Sequence, residues 1–253
     1  MGRRLGQHFL RSRAALTAII EAGDLRHDDV VLEIGPGEGV LTRELVAHTR
    51  QVIAIEKDEK LYAQLRETFS QEIRDGSLTL IAADALTYEP PERYKLIANI
   101  PYYITGAIIR KFLTASSQPD RMVLLVQKEI AERIARSQKE SILSISVKAY
   151  GSPRYITKVP AGSFAPPPKV DSAILLIENI SRNFFTEIDE EKFFAIVHAG
   201  FASKRKMLLG NLSMFGSREK LNELFMRCDI DPKIRAEDVA LQKWRELAVL
   251  LTD

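Results

Sequence analysis

Four apolar runs in the sequence each end in a residue able to do chemistry. Gly35 follows "VVLEI" (30–34), Glu56 closes "VIAIE" (52–56), Asp84 closes "LTLIAAD" (78–84) and Asn99 closes "KLIAN" (95–99). In an open α/β sheet, ligands bind outside the carboxyl ends of the strands, so these are the informative positions. "EIGPGEG" (33–39) supplies a glycine turn that lets a ligand approach the backbone and face a helix N-terminus. Its spacing is G-x-G-x-G, which departs from the G-x-G-x-x-G of dinucleotide folds. Glu56 stands where a carboxylate accepts both hydroxyls of a ribose, and Asp84 where one accepts an adenine amino group; each could instead cap the helix that follows. Taken together, the three describe an adenosine pocket.

The fourth run ends in "NIPYYIT" (99–105), where ordinary turn chemistry would use Gly or Asp. An adenine N6 amine is a weak nucleophile because its lone pair is delocalised into the ring. A methyl-transfer site must therefore accept hydrogen bonds from its N–H groups and favour the pyramidal form. The Asn99 side-chain oxygen and the Ile100 carbonyl, aimed by the fixed φ of Pro101, suit that task. Tyr102 would stack on a base drawn out of its helix, and Phe164, beside the proline-stiffened "FAPPPKV" (164–170), would close the other face. The alternative is a proline-stopped strand followed by core aromatics, with Phe164 among them.

These residues need a frame. Further apolar runs, "MVLLVQ" (122–127), "YITKVP" (155–160) and "SAILLIE" (172–178), follow the first four, and amphipathic stretches such as "VLTRELVAHT" and "DEKLYAQLRETF" lie between the earlier ones. This rhythm predicts a doubly wound α/β domain whose parallel strands are covered on both faces. After residue 178 the strand signal stops. "EEKFFAIVHAGFASKRKMLLGNLSMF", "REKLNELFMRC" and "AEDVALQKWRELAVLL" read as helices, so a catalytic domain over 1–178 and a small all-helical domain over 179–253 are expected, with residues 1–14 a basic arm.

Composition narrows the function. A formal charge of only +2 over 253 residues means that any nucleic-acid affinity comes from local patches. Arg3, Arg4, Arg11 and Arg13 make one patch, and Lys204, Arg205 and Lys206 another; both suit phosphate contacts, and both could be solvated helix ends. One cysteine and four scattered histidines leave neither a disulfide nor zinc-ligand spacing, so a metal-free cytoplasmic protein is expected. The apolar runs are too short to span a bilayer, and "LTAII" (16–20) is a poor signal-peptide core.

"GQHFL" (6–10), "VLEIGPGEGVLT" (31–42), "IEKD" (55–58), "AADAL" (82–86), "NIPYYIT" (99–105), "QKEIAERI" (127–134), "FAPPPKVDSAI" (164–174) and "IRAEDV" (234–239) occur in that order. Together they resemble the ribosomal RNA adenine dimethyltransferases over nearly the whole chain. The resemblance implies a Rossmann-like class I methyltransferase fold with a mostly parallel seven-stranded sheet, S-adenosylmethionine as cofactor, and N6,N6-dimethylation of two adjacent adenosines near the 3′ end of 16S rRNA in an immature small subunit. It also implies that Gln7, His8 and Leu10 fold over the methionine end of the cofactor, with Gly35 and Gly37 lining it. Glu56 would hold the ribose with Lys57 beside it, Asp84 and Ala85 would take the adenine, and Asn99 would serve cofactor and target base.

The chain departs from the family pattern at three places. His8 stands where many members have Asn, "KESILS" (139–144) replaces the usual Tyr-Gly pair before "LS", and "FASKRKMLLGN" (201–211) alters the basic cluster. Rival readings are a resistance-type 23S rRNA methyltransferase, a DNA adenine methyltransferase and an assembly factor without catalysis. The "PPPKVDSAI" segment and the tail "IDPKIRAEDVALQKWRELA" look like the small-subunit branch, and the intact glycine turn, Glu56 and Asn99 speak for an enzyme. A monomer is the default expectation.

Overall fold

The structure, a computed structural model, describes residues 8–252. The seven apolar runs form the strands of one sheet: β1 Val30–Ile34, β2 Gln51–Glu56, β3 Leu78–Ala82, β4 Lys95–Asn99, β5 Arg121–Gln127, β6 Ser152–Val159 and β7 Ser172–Glu178. Their spatial order is β3-β2-β1-β4-β5-β7-β6. The strands from β3 through β5 pair in parallel, and β7 runs antiparallel to both of its neighbours. The expected mostly parallel, seven-stranded α/β sheet is the one observed. Strand order reverses between β1 and β4, which makes the carboxyl ends of those two strands the place where a crevice opens.

Local sequence explains how the chain enters each helix. Ser12 caps the helix Arg13–Gly23 by accepting from the Ala15 N–H at 3.3 Å. Asp58 caps Glu59–Thr68 by accepting from the Lys60 and Leu61 N–H groups. Gly39 opens Val40–His48 with a left-handed φ of 79°, where a Cβ would stand 2.4 Å from the Phe69 ring. Buried Val31, Val52, Ala54, Leu65, Phe69 and Ile97 join the helices to the sheet in one apolar core. A pair of two-residue strands, Phe9–Leu10 and Phe164–Ala165, runs antiparallel and ties the "HFL" segment to the "FAPPP" segment.

The chain divides into two compact units. One comprises the chain up to Glu132 together with Ser152–Ile180; the other comprises Arg133–Gly151 together with the chain from Ser181 onward. The single boundary expected near 178 therefore needs correcting for residues 133–151. The helix Ile142–Tyr150 buries Ile145 and Ala149 in the same cluster as Phe193, Ile196, Phe225 and Trp244, so an early helix completes the core of the later, helical unit. The altered "KESILS" loop is self-consistent there. Ser141 and Ser144 exchange reciprocal caps at 2.7 and 3.1 Å, and the part-buried Glu140 pairs with Lys148 at 2.5 Å.

The long helix read from residue 190 also ends early. Glu190–Gly200 is helical, the chain then turns, and a short helix resumes at Leu208–Asn211. Gly200 lies so close beneath Trp244 that a Cβ would sit 2.3 Å from its ring. The Asn211 side chain donates to the Gly200 and Ser203 carbonyls at 2.6 and 3.1 Å, satisfying groups that a continuing helix would have paired. Lys204, Arg205 and Lys206 stand exposed in that turn. Among the described residues no helix is long and apolar enough to cross a membrane.

Candidate active site

A cleft opens at the carboxyl ends of β1, β2 and β4. Its wall comprises His8, Phe9 and Leu10, then Glu33 and the turn Gly35–Glu38, then Val40, Leu41, Glu56 and the run Asn99–Tyr102. The turn is held by left-handed backbone at Gly35 (φ 67°) and Gly37 (φ 60°), and by the Gly35 N–H donating to the Ile55 carbonyl at 2.9 Å. A Cβ on Gly37 would meet the Phe9 ring at 3.0 Å, so a glycine there keeps the floor open. Glu56 is 6% exposed, and its two oxygens accept from the Gly37 N–H at 3.2 Å and the Asp58 N–H at 2.9 Å. Burial raises its pKa, and those N–H donors oppose the rise.

Asn99 ends β4 with its amide oriented by a hydrogen bond. Its Nδ2 donates to the His8 carbonyl at 3.1 Å, so the Oδ1 end of the amide is the one left to accept. Ile100 is held by its own N–H donating to the Leu125 carbonyl at 3.3 Å, and Pro101 has φ −56° and ψ 129°. Tyr102 is fixed at both ends: its hydroxyl pairs with Ser172 at 2.6 Å, and its ring stacks on His8 with centroids 6.0 Å apart and planes 28° apart. His8 is itself anchored, its Nδ1 lying 2.8 Å from the Pro166 carbonyl oxygen.

Other expected site residues stand outside this wall. Lys57 and Asp84 form an exposed ion pair at 2.7 Å, and Asp84 also accepts from the Leu86 N–H at 3.0 Å within a turn; no helix follows it, so it is not a helix cap. Their mutual attraction lowers the Asp84 pKa. Ala85 is buried beside them. Phe164 pairs through its backbone with Leu10, is 4% exposed and packs in the same apolar core as Leu10. Arg11 pairs with Glu38, whereas Arg13 is exposed in the first turn of its helix. Gln7, Arg3 and Arg4 lie outside the described residues.

Sequence reasoning missed Glu33. It is 1% exposed, lines the cleft, and has a buried Oε2 without a hydrogen-bond partner among the described residues. Burial drives its pKa to about 8; the Thr42 hydroxyl opposes this and the Glu56 charge adds to it. The signal was present in "VVLEI", where a carboxylate interrupts an otherwise apolar buried strand. The Ser172 anchor of Tyr102 was missed too, because a serine opening a strand carries no such mark.

S-adenosylmethionine fits the residues that line this cleft. It carries a sulfonium and an ammonium, and the cleft offers two buried carboxylates, one of them with an unpaired oxygen, beside the backbone of a glycine turn. The strand order and the site at its reversal point define a class I methyltransferase that uses S-adenosylmethionine. The chain belongs to the ribosomal RNA adenine dimethylase family, whose description matches residues 2–253. It is 40% identical over 258 residues to the ribosomal RNA small subunit methyltransferase A of Dehalococcoides mccartyi, covering 98% of this chain and 88% of that protein. It is 39% identical to the protein of the same name from Trichormus variabilis, covering 98% and 97%. Among solved structures it resembles a dimethyladenosine transferase from Plasmodium falciparum (TM-score 0.82, 26% identity, 95% and 96% covered). It also resembles the 23S rRNA methyltransferase ErmE (TM-score 0.78, 30% identity, 97% and 100% covered).

Proposed function

We propose that this enzyme dimethylates N6 of two adjacent adenosines near the 3′ end of 16S rRNA, acting as a monomer on an immature small subunit in the cytoplasm. The observation that carries the reading is the Asn99–Tyr102 run at the end of β4, with its amide turned by His8 and its ring locked by Ser172. The names of the curated relatives support the small subunit as target.

When bound, S-adenosylmethionine supplies an electrophilic methyl group on sulfur. Gly35 and Gly37 leave room for it, Glu56 holds its ribose, and Glu33 faces its positive charge. His8 and Leu10 cover the cleft from the amino-terminal side, as Gln7 would beside them, and Lys57, Asp84 and Ala85 form the adenine side of the rim. Asn99 Oδ1 and the Ile100 carbonyl accept the N–H groups of the target amine, which localises the nitrogen lone pair for attack. Tyr102 stacks on the displaced base. The methylated amine is acidic enough to lose its proton to water, so no strong general base is required. Phe164 holds the Phe9–Leu10 strand in place.

Arg13, Lys204, Arg205 and Lys206 are the exposed cations suited to rRNA phosphates; Arg3 and Arg4 would extend the first group, and Arg11 contributes only if it leaves Glu38. The helical unit serves as the ribosome-docking part. Transfer of labelled methyl to small subunits lacking the 3′-end dimethyladenosines, followed by nucleoside analysis, tests the reading. Dimethyladenosine on small subunits alone is expected. Label on large subunits would favour the second reading, 23S methylation, which the likeness to ErmE supports; cofactor binding without transfer to either would leave a non-catalytic assembly factor.

A further inference from the structure

Tyr103 has no part in the site described above. It follows Tyr102 directly, yet its side chain turns outward: at 66% exposed it is the one exposed ring among the tyrosines, phenylalanines and tryptophan of the described residues, the other large exposed apolar side chains being Val170, Met207, Met214 and Met226. An exposed apolar residue by itself means little. Here the backbone that carries it is fixed. The Ile104 N–H donates to the Pro101 carbonyl at 3.1 Å, the Thr105 N–H donates to the Tyr102 carbonyl, and the next helix begins at Thr105 with Thr105, Ile108 and Ile109 buried. The ring therefore stands on a rigid base beside the residue that lines the cleft.

A base drawn into the cleft leaves its neighbour in the strand without a stacking partner. That loss is part of the cost of extrusion, and an aromatic ring outside the mouth offsets it. We propose that Tyr103 is the stacking platform for the nucleobase that flanks the target adenosine, so that one turn carries two rings: Tyr102 for the base inside the cleft and Tyr103 for the base outside it. The proposal rests on the reading that the target adenine enters beside Asn99. It makes Tyr103 a substrate-positioning residue whose requirement is a flat ring, with no need for the hydroxyl.

The test compares Tyr103→Ala, Tyr103→Leu and Tyr103→Phe on unmethylated small subunits, with cofactor titration as the control for folding. Tyr103→Ala and Tyr103→Leu are expected to raise the KM for the subunit about tenfold, about 1.4 kcal/mol, while leaving the Kd for S-adenosylmethionine unchanged; Tyr103→Phe should stay within about twofold of the parent. A second readout places 2-aminopurine next to the target in the RNA: the parent and Tyr103→Phe should quench it on binding, and Tyr103→Ala should not. An unchanged KM for Tyr103→Ala, or a Phe variant as impaired as the Ala variant, overturns the proposal. Asn99→Ala, run alongside, separates the two readings. Full turnover by that variant would remove the site assignment on which the platform depends, whereas a dead Asn99→Ala beside an unaffected Tyr103→Ala would remove the platform alone.

Discussion

Glu33 makes the protein's stability and its cofactor affinity depend on pH in a direction that the structure sets. Burial lifts its carboxyl from the ordinary 4.5 to about 8. Between those values the folded protein holds a proton that the unfolded chain has released, so stability falls as pH rises through this window and levels off above pH 8. At about 1.4 kcal/mol per pH unit the full swing is about 5 kcal/mol, an upper bound for one buried carboxyl. Glu33→Gln keeps the shape and removes the titration. Urea unfolding of the cofactor-free protein from pH 5 to pH 9 should show Glu33→Gln gaining on the parent by several kcal/mol toward alkaline pH. Part of the parent's slope belongs to Glu56, whose pKa burial also raises, and that part remains in the variant. A cationic ligand favours the ionised carboxylate, so S-adenosylmethionine should bind more tightly as pH approaches 8, with proton release detectable by calorimetry in buffers of different ionisation enthalpy. Parallel stability profiles for parent and variant, or no difference in proton release, would refute the reasoning.

Glu56→Ala should weaken S-adenosylmethionine by at least tenfold in an equilibrium titration, since it removes the cleft carboxylate that organises both Gly37 and Asp58; an unchanged Kd would end its proposed ribose role. Asn99→Ala should lose methyl transfer while cofactor affinity stays within about tenfold, as read by paired turnover and binding assays. Gly39→Ala forces an unfavourable φ and a collision with Phe69, so a loss of about 2–4 kcal/mol and a lower thermal midpoint are expected, with a normal midpoint counting against the packing described. Ser141→Ala should cost the helical unit about 1 kcal/mol through loss of its reciprocal cap, measurable as a shift in urea midpoint.

What the sequence determined by itself is local. The seven strands follow from uniformly apolar runs, because a strand covered on both faces needs no polar alternation, and their ends mark the cleft because polar groups there reach solvent or ligand. Asn99, Pro101 and Tyr102 were legible for the same reason, as was the glycine turn. Tertiary structure decided what depends on partners distant in sequence. Phe164 is buried in the core opposite Leu10, a pairing of segments far apart in the chain, and the helix Ile142–Tyr150 joined the later unit because Phe193 and Trp244 needed its apolar face. Asp84 and Lys57 satisfy each other, a match of charges that no spacing announces. The buried state of Glu33 arises only when β2 and β4 close on β1, since a carboxylate is held near pH 8 by the water excluded around it and not by its neighbours in the chain.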